Sequence, residues 1–243
     1  MSWETGWGVL GVILLAYFMF GVSGFGSSLI SVPLMSHLVP LQSAVMLALV
    51  LDLASAVGLS QKDKRHVRRD ELKHIIPFAL IGIVIGAVML SRTPSGPLLF
   101  VLGFFVTIVA IRYLVFDTFS HTISPRWSVL AGLVGGTASA LFGTGGPAYM
   151  SYFGHRLENR SELRATFSGL MVVDGGLRVI VFILSGLLFT ALDPKILIIA
   201  VPAMLSGLYL GHRAHKALSN QQIKYLTAIL LLLSGLSLLV RGI

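Results

Sequence analysis

The chain has 243 residues, of which 55% are hydrophobic and only 12% are charged. Soluble domains carry roughly 25% charged residues, so this composition excludes an ordinary soluble protein and indicates an integral membrane protein. The formal net charge of +8 comes from basic residues in short loops between apolar segments. In such loops basic residues orient a membrane protein, so we expect a lipid bilayer, and no nucleic acid, as a partner.

Ten apolar stretches follow one another along the chain. They cover residues 7–22, 24–38, 42–60, 75–91, 97–115, 127–142, 145–154, 165–188, 194–211 and 222–240. A membrane-spanning helix needs roughly 20 residues, or somewhat fewer. The stretches 7–22, 24–38, 127–142 and 145–154 are short, so we expect half-helices that meet in pairs at a glycine-rich break. The other six have the length of full spans. The sequence thus predicts an all-α integral membrane protein.

Lysine and arginine are distributed unequally between the two sets of loops. Loops 61–74, 116–126, 154–164 and segment 212–224 hold 13 of the 18 basic residues, whereas only three lie in the opposite set of loops. Because cytoplasmic loops carry an excess of Lys and Arg, this bias predicts that 61–74, 116–126, 154–164 and 212–221 are cytoplasmic. We therefore expect a multi-pass protein of the cell (inner) membrane.

The same bias predicts two re-entrant hairpins. Segment 127–154 lies between two cytoplasmic loops and has short halves, so we expect a hairpin that enters from the cytoplasm, with its tip near Gly143–Gly146. By the same count 7–38 is a hairpin that enters from outside, with its tip near Gly24–Ser28.

Three landmarks recur in the same order in the two halves of the chain. Gly24-x-Gly26 and Gly143-x-Gly145 are 119 residues apart, Asp52 and Asp174 are 122 apart, and Pro77-x4-Gly82-x3-Gly86 recurs 125 residues later from Pro202. We infer a single transport domain over 1–243 with internal repeats at 5–115 and 126–241. Each repeat has an odd number of crossings, so the repeats are inverted, as in many secondary transporters. The small-xxx-small pairs also have a structural interpretation, close helix packing.

The two breaks have the chemistry of an anion site. Helix starts leave backbone amides unpaired and carry a charge equivalent of about +0.5, so two facing starts near the bilayer midplane would hold an anion. The predicted substrate-binding residues at the tips are Gly24, Phe25, Gly26, Ser27, Ser28, Gly143, Thr144, Gly145 and Gly146. The alternative is that the glycines serve only tight packing.

Two acids lie deep in apolar helices. A charged Asp at mid-bilayer costs roughly 2.5–3.5 kcal/mol, so Asp52 and Asp174 each need a partner, a proton or water. Arg178 lies one turn after Asp174, at a spacing that allows an ion pair. Either that pair only neutralises itself or Arg178 binds substrate. Because no basic residue lies three or four positions from Asp52, it is the better proton-coupling candidate, with Asp174 as the second.

No cofactor or metal is expected. The chain has no cysteine, and His212 and His215 stand beside Arg213 and Lys216 without a carboxylate to complete a metal site.

The glycine-rich segments GFGSSLISVPL at 24–34 and GTGGPAYMSYFG at 143–154 resemble those of the TauE/SafE-type transporters, also called the 4-toluene sulfonate uptake permease family, TSUP. Gly24, Gly26 and Pro33 match the first family motif, and Gly143, Gly145 and Gly146 match the second. Two positions depart from it: the family's glycine triplet is Gly26-Ser27-Ser28 here, and Tyr152 occupies a proline position. The resemblance implies transport of sulfite, organosulfonates or other sulfur-containing anions, often as export.

The function predicted is therefore a secondary transporter, not an enzyme, for a small sulfur-containing oxyanion such as sulfite, thiosulfate or an organosulfonate, with protons as a further partner. An anion channel shares these features. A third alternative is a rhomboid-like intramembrane protease, because Gly21-Val22-Ser23-Gly24 fits the GxSG signature. We expect His212 and His215 to lie far in depth from Ser23, which argues against it. The sequence leaves the oligomeric state open, a homo-oligomer included.

Overall fold

The computed structural model describes residues 3–23, 26–59, 66–115, 123–192, 194–215 and 217–241. These residues form helices and no strands, which confirms the all-α prediction. The helices are α1 Trp3–Ser23, α2 Ser27–Met35, α3 Leu41–Leu59, α4 Arg69–Arg92, α5 Ser95–Val115, α6 Trp127–Phe142, α7 Gly146–Arg156, α8 Arg160–Leu184, α9 Leu187–Ala191, α10 Pro194–His215 and α11 Asn220–Arg241.

Six of the described helices are long and apolar enough to cross a membrane. They are Thr5–Ser23, Arg69–Arg92, Ser95–Val115, Ser161–Leu184, Ile196–His215 and Gln221–Val240. Many of their large apolar side chains are exposed, Phe104, Leu184 and Ile198 among them. A surface of this kind needs lipid around it. The chain is therefore a multi-pass helical membrane protein.

The first helix is longer than predicted. We expected a half-helix over 7–22, but α1 runs over 21 residues from Trp3 to Ser23 and so rises roughly 31 Å. The polar residues at its start shorten the apolar stretch without breaking the helix, which is why the hydropathy pattern underestimates it. The next helix, α2, is shorter than the predicted 24–38 and has nine residues. The second pair agrees better, because α6 spans the predicted 127–142.

The chain divides into two compact units. Unit 1 comprises Met1–Asp52, Thr93–Asp117 and Ala191–Ile243, and unit 2 comprises Leu53–Arg92 and Thr118–Thr190. Neither unit corresponds to one predicted repeat, since each takes helices from both halves of the sequence. The inverted duplication itself stays a prediction.

In unit 1, α1 packs along α10, and α5 packs along α11. Glycines make the first contact close: a Cβ added at Gly207 would lie 2.6 Å from the carbonyl oxygen of Leu14, and one at Gly211 would overlap that of Phe18. Leu14 of α1 contacts Gly207 of α10, and four residues further along each helix Phe18 contacts Gly211. The two helices therefore run in the same direction.

In unit 2, α6 packs along α4 in the same manner. A Cβ added at Gly86 would lie 2.7 Å from the carbonyl oxygen of Thr137, and one at Gly136 would overlap that of Ala79. The glycines of both Pro-x4-Gly-x3-Gly motifs therefore lie at helix crossings, which confirms the packing interpretation of these motifs.

Candidate functional site

The break in unit 1 separates α1 from α2. Gly26 has φ 87°, in the left-handed region that side chains other than glycine rarely adopt, and it is the N-cap residue of α2. No side chain caps this helix start through Gly26, and the first turn closes with a hydrogen bond from Ile30 N to Gly26 O of 3.3 Å. The predicted site residues Gly24 and Phe25 lie outside the described residues.

Asp52 of α3 lies at the start of α2 and accepts hydrogen bonds from three hydroxyls. Tyr17 of α1 donates to Oδ1 at 2.6 Å, Ser27 donates to the same oxygen at 2.7 Å, and Ser28 donates to Oδ2. Ser27, Ser28 and Tyr17 are buried. Hydrogen bonds to an ionised acceptor are stronger than neutral ones, so this hydroxyl cluster compensates for the removal of the carboxylate from water.

The break in unit 2 separates α6 from α7. Gly143 has φ 71° and donates its amide to Ser139 O at 2.9 Å, which ends α6. Gly145 is the N-cap of α7 and offers no side-chain cap, and Thr144 between them is buried. A Cβ at Gly145 would overlap the carbonyl oxygen of Gly135, so glycine is required there for close approach. At Gly146 the nearest atom to an added Cβ is 3.5 Å away, on Phe167, which leaves room.

Asp174 of α8 lies behind this second break and is 1% exposed. Tyr149 of α7 donates to Oδ1 at 2.8 Å, and Ser139 of α6 donates to Oδ2. Arg178 Nε lies 3.0 Å from Oδ2 but off the line of a hydrogen bond, so the contact is an ion pair. Arg178 Nη1 also donates to Ser139 O at 3.1 Å, which places its charge at the negative end of α6. The predicted Asp174–Arg178 pair is confirmed.

Three positions of the two acid clusters correspond in sequence. Asp52 and Asp174 are 122 residues apart, and the same offset relates Tyr17 to Ser139 and Ser27 to Tyr149. Tyrosine and serine have thus exchanged places between the two clusters. Sequence reasoning missed Tyr17, Ser139 and Tyr149. A search for pairs of hydroxyl residues 122 residues apart, the separation of Asp52 and Asp174, would have found them.

The structure brings some predicted site residues together and changes the role of others. Ser27 and Ser28 point at Asp52 and donate to it, whereas we expected their hydroxyls to be available for substrate. In unit 2, Gly145 lies against Ser139 and Tyr149, both of which bind Asp174. The expectation that the two tips face each other stays a prediction.

The first break lies beside the end of a long helix. His215 Nδ1, in the last turn of α10, donates to the carbonyl oxygen of Val22 at 2.7 Å. The break after Ser23 is therefore level with the end of α10, while the depth of the tip in the bilayer stays a prediction. In unit 2 the end of α6 also lies beyond the middle of α4, since Ala140 is next to Gly86.

This contact also overturns the depth argument against a Ser23 hydrolase. His215 does lie beside the first break, because α1 is longer than expected. However, Ser23 Oγ donates to the carbonyl oxygen of Met19 at 2.7 Å, and the Nδ1 of His215 is engaged by Val22. Both of these hydrogen bonds end on backbone carbonyl oxygens, which is not the serine–histidine pairing that a hydrolase uses.

In the part of the chain that the structure describes, no group of three or more His, Asp or Glu could hold a metal ion. Several residues behind the sidedness prediction lie outside that part, among them Lys62, Lys64, Arg65 and Lys216. The cytoplasmic placement of loops 61–74, 154–164 and 212–221 stays a prediction.

Comparison with known proteins agrees with this architecture. A relative from Comamonas testosteroni, named probable inner membrane transporter protein TsaS, is 29% identical over 194 residues, which is 79% of this chain and 81% of the relative. No solved structure matches the chain. Residues 9–238 match the family described as sulfite exporter TauE/SafE. Since this match covers nearly the whole sequence and confirms the resemblance of the glycine motifs, the chain belongs to the TauE/SafE family of membrane transporters.

Proposed function

We propose that this protein is a secondary transporter of a small sulfur-containing oxyanion, such as sulfite, thiosulfate or an organosulfonate, in the inner membrane. Membership of the TauE/SafE family and the name of the relative from Comamonas testosteroni support this proposal. The observation that carries it is the hydroxyl cluster around Asp52, which lies at an uncapped, glycine-led helix start.

In this proposal the start of α2 and the start of α7 are each an anion-binding helix end, and each is described within its own unit. The first amides of each helix have no acceptor within the helix, and the aligned peptide dipoles favour negative charge there. In α7 the open space at Gly146 lets a ligand approach the backbone. Pro147, inside the first turn, loses no hydrogen bond by lacking an amide.

The carboxylate of Asp52 lies beside the proposed anion site and would repel the anion unless it is protonated. Two negative charges about 5 Å apart repel by about 3 kcal/mol at an effective dielectric constant of 20. Protonation of Asp52 removes this repulsion. It also weakens the hold of the carboxyl group on the hydroxyls of Ser27 and Ser28, which can then donate to the anion. Binding of the anion and of the proton therefore favour each other, as proton-coupled transport requires.

The two acids have different roles in this mechanism. Arg178 balances the charge of Asp174 within a buried ion pair, so Asp174 can stay ionised when an anion is bound. Asp52 has hydroxyl donors around it and is the proton carrier. Asp174 with Arg178 provides a neutral anchor between α8 and the end of α6.

The test is uptake into proteoliposomes that contain the purified protein. We expect labelled sulfite or thiosulfate to accumulate against its gradient when a pH gradient is imposed. Asp52→Asn should abolish accumulation driven by the pH gradient while downhill exchange of the anion persists. As a control, Asp70→Asn removes an exposed acid and should behave as the native protein. If Asp52→Asn retains pH-driven accumulation, Asp52 is not the proton carrier.

A second measurement separates the carrier from the channel. A carrier shows saturable counterflow, in which unlabelled anion on one side accelerates movement of labelled anion from the other. Flux that follows membrane potential without counterflow would identify the anion channel instead. The class of substrate is tested by thermal stabilisation of the purified protein with sulfite, thiosulfate and sulfonates, with chloride as the control. The absence of a shift with every sulfur oxyanion would contradict the substrate assignment.

A further inference from the structure

A third buried acid in unit 2 lies away from both breaks. Glu71, in the first turn of α4, is buried, and both oxygens of its carboxylate are engaged by α7. Arg156 donates from Nε at 3.0 Å and from Nη2 at 2.5 Å to Oε1, and Tyr152 donates to Oε2 at 2.6 Å. Arg156 Nη1 also donates to Ile123 O at 3.2 Å. These four hydrogen bonds hold the C-terminal end of α7.

The face of α7 that carries Tyr152 and Arg156 also carries Tyr149, which binds Asp174 behind the second break. Tyr149, Tyr152 and Arg156 have i, i+3 and i+7 spacing and therefore lie along one side of the helix. Tyr149 binds Asp174 and the other two bind Glu71, so α7 is held at both ends by buried acids. Between them Phe153 packs into an apolar cluster with Ile75 of α4.

Because α7 is short, its position depends on the hydrogen bonds that Tyr149, Tyr152 and Arg156 make to buried acids. Isolated helices shorter than about 12–15 residues are marginal, and α7 has only 11 residues. Its first residue, Gly146, follows the short segment Gly143–Gly145, so α7 does not continue α6 and depends on side-chain contacts for its position. The C-terminal attachment to Glu71 therefore acts together with the Tyr149–Asp174 hydrogen bond to set the orientation of α7.

We propose that Glu71 is a positioning residue for the anion site, acting through Arg156 and Tyr152 to fix where the start of α7 lies. This inference rests on the proposed function for its transport consequence, because α7 supplies one of the two anion-binding helix starts. The effect on the structure of the break is independent of that function.

Asp70 provides a matched control on the adjacent position of α4. Asp70 pairs with Arg68, and these side chains are 54% and 45% exposed, whereas the Glu71 side chain is 4% exposed. Exposed pairs contribute little, while a buried acid with an engaged arginine contributes much more. Asp70→Asn and Glu71→Gln each remove one negative charge from the same helix turn, but only Glu71→Gln releases α7.

The first experiment measures the break without substrate. The chain has no cysteine, so Thr144→Cys introduces a single thiol at a buried position of the second break. In this background we expect Glu71→Gln to raise the rate of labelling by a membrane-permeant thiol reagent about tenfold, because local opening exposes the site. Asp70→Asn should change that rate less than about twofold. Equal rates for the two variants would overturn the proposal, whatever the transport result.

Tyr152→Phe provides a variant that folds more readily than Glu71→Gln. It removes one donor to Oε2 without changing charge, so we expect a smaller rise in labelling, about threefold. If Glu71→Gln fails to fold, an unchanged labelling rate in Tyr152→Phe overturns the proposal.

The second experiment measures uptake of labelled sulfite with native residue 144, per folded protein. We expect Glu71→Gln to raise KM about tenfold with a smaller change in the maximal rate, since a misplaced helix start binds the anion poorly. A purely structural role would lower the amount of folded protein and leave KM unchanged. If the native protein moves no sulfur oxyanion although Glu71→Gln opens the break, the proposed function fails and the positioning role stands.

Discussion

The acid clusters of unit 1 and unit 2 each hold an aspartate next to a helix break, but they do so with different residues. Both place an aspartate behind a glycine break and surround it with a tyrosine and a serine from the two helices of the break. In unit 1 the tyrosine comes from the helix before the break, and in unit 2 it comes from the helix after it. Unit 2 adds Arg178, and its acid is almost completely buried.

Asp52 and Asp174 therefore occupy similar places in their units but have different electrostatic surroundings. An acid paired with a buried arginine has its charge balanced whether or not substrate is present. Asp52 is held by hydroxyls and is partly exposed, and the proposed mechanism uses it as the proton carrier. The comparison therefore separates an arginine-paired acid in unit 2 from a hydroxyl-bonded acid in unit 1, and the following predictions test that difference.

The largest expected effect comes from Arg178. Arg178→Gln leaves the Asp174 carboxylate buried without its counter-charge, which costs about 3–5 kcal/mol of folding free energy at pH 7. Asp52→Asn keeps a polar group of the same shape among the hydroxyls of Tyr17, Ser27 and Ser28 and should cost less than about 1.5 kcal/mol. Both are measured by denaturant unfolding in detergent. The double variant Arg178→Gln/Asp174→Asn should recover much of the loss, and equal losses for Arg178→Gln and Asp52→Asn would contradict the comparison.

The next effect distinguishes two neighbouring glycines of the second break. Gly145→Ala forces a Cβ onto the carbonyl oxygen of Gly135 and should cost about 1–3 kcal/mol. Gly146→Ala has room beside Phe167 and should stay within about 0.5 kcal/mol. Thermal unfolding of the two purified variants measures the difference. If Gly146→Ala is the more damaging of the two, the packing at the start of α7 is not as described.

A smaller pair of effects tests whether the two hydroxyl clusters are equivalent. Tyr17→Phe and Tyr149→Phe each remove one hydrogen bond to a carboxylate, worth about 1.5 kcal/mol. We expect similar losses of stability, but only Tyr17→Phe should alter the pH dependence of anion uptake, because only Asp52 exchanges its donors. A change of the pH profile in Tyr149→Phe alone would reverse the assignment of roles to the two units.

The smallest effect is expected at Ser23, which at the offset of 122 corresponds to Gly145. Ser23→Ala removes a hydroxyl bonded to its own helix and should change stability by less than about 0.5 kcal/mol, with transport unchanged. A fluorophosphonate probe should not label the native protein at Ser23. Labelling that disappears in Ser23→Ala would give unit 1 a hydrolytic chemistry that unit 2 lacks.

Composition and hydropathy were sufficient to predict the membrane class and most of the helices. The start of α7 and both ends of α6 could be placed from Gly143, Pro147 and the apolar pattern, because these residues act locally. The pair Asp174–Arg178 was also predictable, since its spacing lies within one helix.

Other features depend on contacts between distant segments and could not be read from local patterns. Glu71 and Asp70 are adjacent acids in a polar helix turn, and only the packing of α7 decides that one is buried and the other exposed. Tyr17 looks like any aromatic residue of an apolar helix until α3 brings Asp52 next to it. The contact of the end of α1 with His215 was not foreseen because α10 lies about 170 residues further along the sequence.

The packing of α1 along α10 has a consequence for biosynthesis. At ribosomal rates of about 5–20 residues per second, α1 emerges roughly 10–35 s before α10, whose glycines pack against its Leu14 and Phe18. During that interval the helix must be shielded by lipid, by the insertion machinery or by temporary neighbours. A premature stop before α10 would therefore leave unit 1 without the partner of its first helix, and we expect such fragments to be degraded soon after insertion.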